Sequence, residues 1–162
     1  MTTASLQTTH LEPGVFVVIL DIGVLIRGQP GTGKSSLALE LLDRGHALVS
    51  DDVVQFEVQR PTNKDIPATL VGSAPPILQN LLAVRDIGVL DVTEIFSSNA
   101  IISEHRLDFI VELDANQIAS GADITDLYNE SLMFEHKFPS QKIFAHTSRN
   151  IALIVETLIK NY

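Results

Sequence analysis

The residues with the clearest chemical potential form one short run, Gly28-Gln29-Pro30-Gly31-Thr32-Gly33-Lys34-Ser35, which fits G-x-x-x-x-G-K-[ST] at every fixed position. Glycines at this spacing let the backbone curl so that successive N–H groups point at phosphate oxygens. A helix opening at Lys34 adds the positive end of its dipole, Lys34 reaches the terminal phosphates, and the Ser35 hydroxyl suits magnesium. A chance glycine turn before a surface helix is the alternative, which the flanking strand and helix disfavour. The predicted nucleotide-binding residues are Gly28, Gln29, Pro30, Gly31, Thr32, Gly33, Lys34, Ser35 and Ser36.

Asp51 and Asp52 are the next residues whose types suit phosphoryl transfer. In such reactions one carboxylate commonly holds the metal ion while another positions or deprotonates the nucleophile. Adjacent residues of a strand point to opposite faces, so both can serve one site only if the strand ends there. An ordinary acidic turn is the alternative, but the pair follows the loop by one helix and one strand, which favours a position beside it. Asp51, Asp52 and Ser35 are therefore the predicted metal ligands.

The remaining chemical side chains give weaker signals. Arg85 and Arg149 are isolated cations, and each suits either a local ion pair or a clamp on phosphate. The five histidines share no metal-ligand spacing and are expected to be surface or hydrogen-bonded residues. The chain has no cysteine, which excludes a disulfide framework, a thiol nucleophile and a thiolate metal site.

The elements that must position these residues are predicted from periodicity and turn signals. β-branched apolar runs predict strands before the loop, and Leu37, Leu41 and Leu42 have core spacing on the helix after it, with Gly45 as its C-cap. Residues 115–130 are polar and acidic and are expected to form a loop. The predicted strands cover 14–20, 22–27, 47–50, 53–58, 107–113 and 143–146, and the predicted helices cover 34–44, 77–84 after Pro75-Pro76, and 150–159.

Composition limits the class of protein. The chain has 162 residues, 45% of them hydrophobic, which suits one compact domain. Its 20 acidic and 11 basic residues give a net charge of −9, which speaks against nucleic-acid binding. The first apolar run is too short to span a bilayer, and no basic residue precedes it as in a signal peptide, so we expect a cytoplasmic protein without membrane contact. Residues 1–12 are expected to be flexible and residues 13–162 to form the domain.

Three segments resemble one protein family. Residues 23–52 (GVLIRGQPGTGKSSLALELLDRGHALVSDD) are similar to the nucleotide-binding core of bacterial HPr kinase/phosphorylase. Residues 71–96 (VGSAPPILQNLLAVRDIGVLDVTEIF) look like that family's second signature, and residues 148–162 resemble its penultimate helix. The second signature is far more specific than the loop, which many unrelated enzymes carry.

The resemblance implies an α/β, P-loop-containing kinase core similar to the HPr kinase C-terminal domain and phosphoenolpyruvate carboxykinase. It implies ATP as phosphoryl donor, or pyrophosphate in some members, Mg²⁺ as cofactor, and a serine of the phosphocarrier protein HPr as acceptor, with phosphorolysis as the reverse reaction. Lys34, Asp51, Asp52 and Arg85 are then the predicted catalytic residues. One aspartate would be the general base, with Asp52 preferred. Members typically form hexamers, and most carry an N-terminal domain, which we expect to be missing here.

Several positions depart from the family pattern. Pro13 stands where members have a histidine, and Ala83 stands where they have a glutamate that binds magnesium. Asp86 replaces a glycine and is expected to return a carboxylate to the site, and no counterpart of a later catalytic arginine is found between Ile118 and Lys137. Three hypotheses therefore stay open: a divergent, truncated HPr kinase/phosphorylase, a nucleotide-binding regulatory protein with reduced or no HPr activity, and a kinase for another substrate.

Overall fold

The computed structural model describes residues 8–116, 128–145 and 149–162. Within them, no helix is both long and apolar enough to span a membrane. In chain order the elements are β1 (Thr9–Pro13), β2 (Val15–Ile19), β3 (Ile22–Gly28), α1 (Lys34–Asp43), β4 (Ala47–Ser50), β5 (Val53–Gln59), β6 (Thr69–Ser73), a 3₁₀ turn (Pro76–Leu78), β7 (Leu81–Val84), β8 (Gly88–Asp91), α2 (Val92–Ile95), a 3₁₀ turn (Ser98–Ala100), β9 (Glu104–Arg106), β10 (Phe109–Asp114), β11 (Tyr128–Met133), β12 (His136–Phe144) and α3 (Ile151–Lys160).

The central sheet has the strand order β11-β12-β10-β3-β2-β4. Its middle strands β3, β10 and β12 are parallel to one another, while β2 runs antiparallel to both β3 and β4. The carboxyl ends of β3, β10 and β12 therefore lie at one edge of the sheet, where open α/β sheets form their binding crevice.

Both faces of this sheet are covered. On β2, Val15, Val17 and Ile19 pack into a core with α1 and α3, whereas Phe16 and Val18 face a second core shared with the sheet β1-β5-β6-β9. The period of two explains why β2 is apolar throughout, because each face meets a different layer. The result is an α/β fold of helices, a central sheet and a second sheet.

The first helix begins directly after the glycine-rich loop and ends at its predicted glycine. Gly45 adopts φ 91°, its N–H donates to Leu42 O, and the His46 N–H donates to Leu41 O, which is a Schellman cap. The structure confirms this helix, as well as the strands before it, the strand at 47–50 and the closing helix, which is capped by the Asn150 side chain.

Four expectations need correction. Residues 9–12, expected to be flexible, belong to β1, which pairs with β5, while residues 1–7 lie outside the described residues. The helix expected over 77–84 is a 3₁₀ turn followed by strand β7. The loop expected over 115–130 ends in strand β11, which begins at Tyr128. The strand expected at 143–146 is the end of β12, which already begins at His136, and residue 146 lies outside the described residues.

Candidate active site

The loop between β3 and α1 is held against the neighbouring parallel strand. A Cβ added to Gly28, where φ is 155°, would lie 2.6 Å from Leu113 O on β10 and 2.9 Å from Thr32 Oγ1. Within the loop, Thr32 donates from both its N–H and its hydroxyl to Gln29 O, at 3.2 and 2.9 Å. Gly28 therefore lets the loop leave the sheet at a place where no side chain fits.

Lys34 and the start of α1 supply positive charge at the loop. The Lys34 ammonium donates to Gly28 O at 2.8 Å and to Gln29 O at 3.1 Å, which keeps it over the loop. Gly33, with φ 91°, precedes the helix and has open space where a Cβ would stand. The helix adds its unpaired N–H groups, so the loop is a concave, electropositive surface suited to phosphate.

Asp51 joins three elements around the loop. The residue is only 4% exposed, and one carboxylate oxygen, Oδ1, accepts a hydrogen bond from the Ser35 hydroxyl at 2.8 Å. The other oxygen, Oδ2, accepts from the backbone N–H of Ala83 on β7 at 2.9 Å. With its proton directed to Asp51, the Ser35 hydroxyl still has oxygen lone pairs to offer a cation.

Asp52 follows the end of β4 in a turn that directs it away from the core. Its φ is 69°, its carbonyl accepts from the Gly14 N–H at 2.9 Å, and its side chain is exposed. Among the described residues, no hydrogen bond reaches its carboxylate. The strand therefore ends where the two aspartates must separate, as predicted, and leaves one buried carboxylate and one accessible carboxylate.

The hairpin of β7 and β8 forms the opposite wall of a cavity of about 740 Å³. Leu82 and Val84 are buried in the core, so Leu81, Ala83 and Arg85 alternate onto the cavity face. Lys34, Ser35, Asp51 and Asp52 also line the cavity. Its charged side chains are therefore two cations, Lys34 and Arg85, and the two aspartates.

The donor set fits magnesium bound together with phosphate. Within the described residues there is no cluster of three or more His, Asp or Glu side chains that could coordinate a metal ion with protein ligands alone. A hydroxyl and nearby carboxylates are the sparse oxygen set that Mg²⁺ accepts when substrate phosphates supply other ligands. Ser35 with the two aspartates is therefore a compatible partial site.

The structure brings most of the residues singled out from the sequence to the 740 Å³ cavity. The expectation that Asp86 returns a carboxylate to the site is wrong. Asp86 lies in the exposed β7–β8 turn with φ 72° and does not line the cavity. Leu78, Leu81 and Val89 line the cavity but are missed by the sequence reasoning, which places the first two in a helix and assigns no element to Val89. The short apolar run Leu81–Val84, followed within a few residues by Gly88 and a second short run, is the signal that could have revealed the hairpin.

Three of the histidines and Arg149 form local contacts, while His146 lies outside the described residues. His46 Nε2 lies 3.3 Å from Glu156, His105 Nε2 lies 3.6 Å from Asp21, and the His10 ring stacks on Phe134. Arg149 donates from Nη1 to Phe144 O at 3.2 Å.

A strand, a phosphate-binding loop and a helix, with a carboxylate pair at the end of the next strand, define an α/β domain with a kinase-type phosphate-binding core. The family described as HPr Serine kinase C-terminal domain matches residues 4–162, and the chain belongs to that family.

Named relatives and a solved structure agree with this assignment. The chain is 38% identical over 161 residues to the HPr kinase/phosphorylase of Bordetella petrii, covering 96% of this chain and 49% of the relative. It is 39% identical over 160 residues to that of Levilactobacillus brevis, covering 98% and 49% respectively. The chain thus spans about half the length of these curated relatives. The solved Hpr(Ser) kinase/phosphatase from Coxiella burnetii superposes with a TM-score of 0.81 at 31% identity, covering 94% of this chain and 89% of that one.

Proposed function

We propose that this domain transfers the terminal phosphoryl group of ATP to a serine of an HPr-like phosphocarrier protein and also catalyses the reverse phosphorolysis. The observation that carries the proposal is the hydrogen-bonded pair of Ser35 and Asp51 beside the accessible Asp52, at the mouth of a phosphate-binding loop. The names of the relatives supply the acceptor, since they are HPr kinase/phosphorylases.

In the proposed forward reaction, Asp52 accepts the proton of the seryl hydroxyl. The seryl oxygen bonds to the terminal phosphorus of ATP, the bond from that phosphorus to the bridging oxygen breaks, and ADP leaves. In reverse, inorganic phosphate attacks the phosphoserine, pyrophosphate forms, and protonated Asp52 returns its proton to the seryl oxygen. Asp52 suits this role because its carboxylate lines the cavity and its backbone is held by Gly14.

Asp51 is proposed as a positioning residue. Both of its oxygens already accept hydrogen bonds, so it fixes the Ser35 hydroxyl relative to β7. Ser35, with the carboxylates nearby, would hold Mg²⁺, which when bound offsets phosphate charge. Lys34 and the loop N–H groups would hold the phosphates, and Arg85 would face the charge that develops during transfer.

A nucleotide-binding protein with little transfer activity is the second candidate. It is favoured by Ala83, which presents only a methyl group to the cavity where the resemblance implies a magnesium-binding glutamate. Assembly into a homo-oligomer, which the resemblance also implies, stays a prediction.

Labelled ATP distinguishes the candidates. The protein is incubated with Mg²⁺, ATP labelled at the terminal phosphate and purified HPr, beside Lys34→Ala and a control, Lys64→Ala, whose exposed lysine is not among the cavity residues. We expect label on a serine of HPr with the unaltered protein and the control, and none with Lys34→Ala. ATP binding without label on any HPr would favour the second candidate.

A further inference from the structure

Arg27 is a cation beside the phosphate-binding loop that the proposed transfer step does not use. It immediately precedes Gly28 on β3 and, among the described residues, lines a cavity of about 670 Å³ and not the 740 Å³ cavity. Its guanidinium pairs with Glu112 on β10 at 3.0 Å and with Glu12 on β1 at 3.6 Å. The three side chains are only 22–29% exposed, so salt screens these pairs less than surface pairs. Arg27 therefore ties the end of β3 to a strand of each larger sheet.

Strand β1 leads from Glu12 directly to the backbone that holds Asp52. Pro13, whose ring fixes its own φ, joins Glu12 to Gly14. The Gly14 N–H donates to Asp52 O at 2.9 Å, and β1 pairs with β5, the strand that begins directly after Asp52. The ion pair of Arg27 with Glu12 therefore connects the residue before the loop to the turn that carries Asp52.

Gly14 also packs against β3 itself. A Cβ added to Gly14 would lie 2.8 Å from Ile26 O, one residue before Arg27. The backbone between β1 and β2 thus lies between the end of β3 and the Asp52 turn. Because no hydrogen bond within the described part of the chain reaches the Asp52 carboxylate, the place of this carboxylate depends on the backbone that Gly14 contacts.

We infer that Arg27 is a positioning residue that sets the distance between the phosphate-binding loop and Asp52, an inference that rests on the proposed function. The loop holds the phosphates at one end of this path, and Asp52 meets the seryl hydroxyl at the other. Misplacing a reacting group by about 1 Å can lower a rate about 100-fold. An ion pair that fixes the separation therefore contributes to transfer without touching either substrate.

The two partners of Arg27 differ in what they connect. Glu12 lies on the path to Asp52, whereas Glu112 lies directly opposite Arg27 on β10, which parallel pairing already joins to β3. Loss of the Glu112 charge leaves the pair with Glu12 in place, so Asp52 keeps its position. Glu112→Gln is therefore the matched control for Glu12→Gln, because each variant removes one carboxylate charge from the same guanidinium.

Transfer rates and ATP affinities of these variants test the inference. The rate of transfer from labelled ATP to HPr, at saturating ATP, Mg²⁺ and HPr, is measured beside the dissociation constant for ATP. We expect Arg27→Ala and Glu12→Gln to lower the rate about 10-fold, while the rate of Glu112→Gln and every dissociation constant stay within about two-fold. Arg27→Lys should recover part of the rate, since an ammonium keeps the charge but lacks the fork that spans two carboxylates.

A distant arginine controls for the loss of an ion pair as such. Arg106 pairs with Asp108 at 2.7 Å, and Asp108 accepts from the Gly23 N–H at the other end of β3. Arg106→Ala should leave both the transfer rate and the ATP affinity within about two-fold. Melting temperatures report whether each variant folds.

The same substitution in Asp52→Asn shows which group Arg27 acts through. In single-turnover reactions, adding Arg27→Ala to Asp52→Asn should change the residual rate by no more than about two-fold, since the group to be positioned is already lost. An equal fold-loss in both backgrounds would overturn the inference. So would weakened ATP binding in Arg27→Ala, which would place the guanidinium on the phosphates, or equal losses in Glu12→Gln and Glu112→Gln. Absence of label on HPr with the unaltered protein is the distinct outcome in which the proposed function fails, and the inference falls with it.

Discussion

Asp51 and Asp52 are adjacent in the chain, yet their surroundings differ and suit them to the different roles proposed for them. Asp51 is buried and accepts hydrogen bonds from Ser35 and from the backbone of β7, so its two oxygens are committed to holding other groups. Asp52 has an exposed carboxylate at the cavity. A free carboxylate can take up a proton during the reaction, whereas a carboxylate used twice as an acceptor serves better as a support.

Asp51→Asn should change the response to magnesium. The amide keeps the shape of the side chain but loses one acceptor oxygen, so the Ser35 hydroxyl is no longer fixed. We expect the Mg²⁺ concentration for half-maximal transfer to rise about 10- to 100-fold, the range seen when a ligand's supporting group is lost. Transfer rates measured over a magnesium titration check this, with Asp114→Asn, outside the cavity, as the matched control. An unchanged magnesium requirement would contradict the supporting role.

Ala83→Glu should lower the magnesium concentration needed for half-maximal transfer. Ala83 faces the cavity from β7 and its N–H contacts Asp51, so a carboxylate on this side chain would add an oxygen ligand near Ser35. We expect the magnesium requirement to fall about 10-fold, which corresponds to roughly 1.4 kcal/mol of extra metal affinity. Ala83→Gln is the matched control of similar size without charge, and an equal effect in both variants would argue against a metal ligand.

At the scale of elements, the path of the phosphate-binding loop is set by the parallel pairing of β3 with β10. Gly28→Ala would place a Cβ 2.6 Å from Leu113 O, so the loop must shift away from the strand. We expect a loss of about 1–3 kcal/mol in the free energy of unfolding from the strained backbone, together with loss of nucleotide binding. Chemical denaturation and calorimetry with ATP measure the two effects.

Gly45→Ala is the control for that prediction. Gly45 also has a positive φ, but a Cβ there meets open space at the far end of α1. This variant should lose stability while its affinity for ATP stays unchanged. Retained ATP binding in Gly28→Ala would show that the close contact with β10 does not shape the loop.

Elements whose signals are local were predictable from the sequence, and those decided by distant partners were not. The glycine-rich loop, α1 with its Gly45 cap, and β4 before the aspartates each carry their own pattern of spacing and turn residues. Strand β1 is polar and forms because β5 pairs with it across the chain. For residues 77–84 the proline pair favours a helix start, but pairing of β7 with β8 across a turn containing Asp86 outweighs it.

For the candidate site, too, the sequence predicted which residues take part but not the surroundings that distinguish them. Lys34, Ser35 and the aspartates could be proposed because motif spacing and strand ends locate them. The distinct environments of Asp51 and Asp52 could not, because they depend on the Ala83 N–H, which belongs to a strand that local patterning assigns to a helix.

At the scale of the whole molecule, the two longer helices are joined by charge at the end opposite the loop. Glu156 on α3 contacts Arg44 at the end of α1, and it lies 3.4 Å from Lys160 and 3.3 Å from His46. The hydrogen bond from Arg44 lowers the pKa of Glu156 from 4.5 to about 2, and Lys160 adds to this effect. This group ties the C-terminal helix to the helix that carries the loop.

The lowered pKa of Glu156 determines how the contribution of this carboxylate to stability changes with pH. A carboxylate with a depressed folded-state pKa contributes stability above its unfolded-state value, and that contribution is lost as the pH falls through the folded-state pKa. The stability advantage of the unaltered protein over Glu156→Gln should therefore be constant above about pH 5 and should shrink as the pH falls from 4.5 towards about 2. Urea denaturation at pH 6, 4 and 3 measures it, with exposed Glu104→Gln as control. An advantage that persists undiminished at pH 3 would contradict the ion-pair account.

The central claim, that Asp52 is the base for transfer from ATP to a serine of HPr, is tested most directly by Asp52→Asn. The transfer rate at saturating ATP, Mg²⁺ and HPr is measured alongside the dissociation constant for ATP. We predict that Asp52→Asn lowers the transfer rate about 10²- to 10⁴-fold, the usual contribution of a general base, and leaves the dissociation constant within about two-fold. A variant that transfers phosphate to HPr at the unaltered rate would contradict the account.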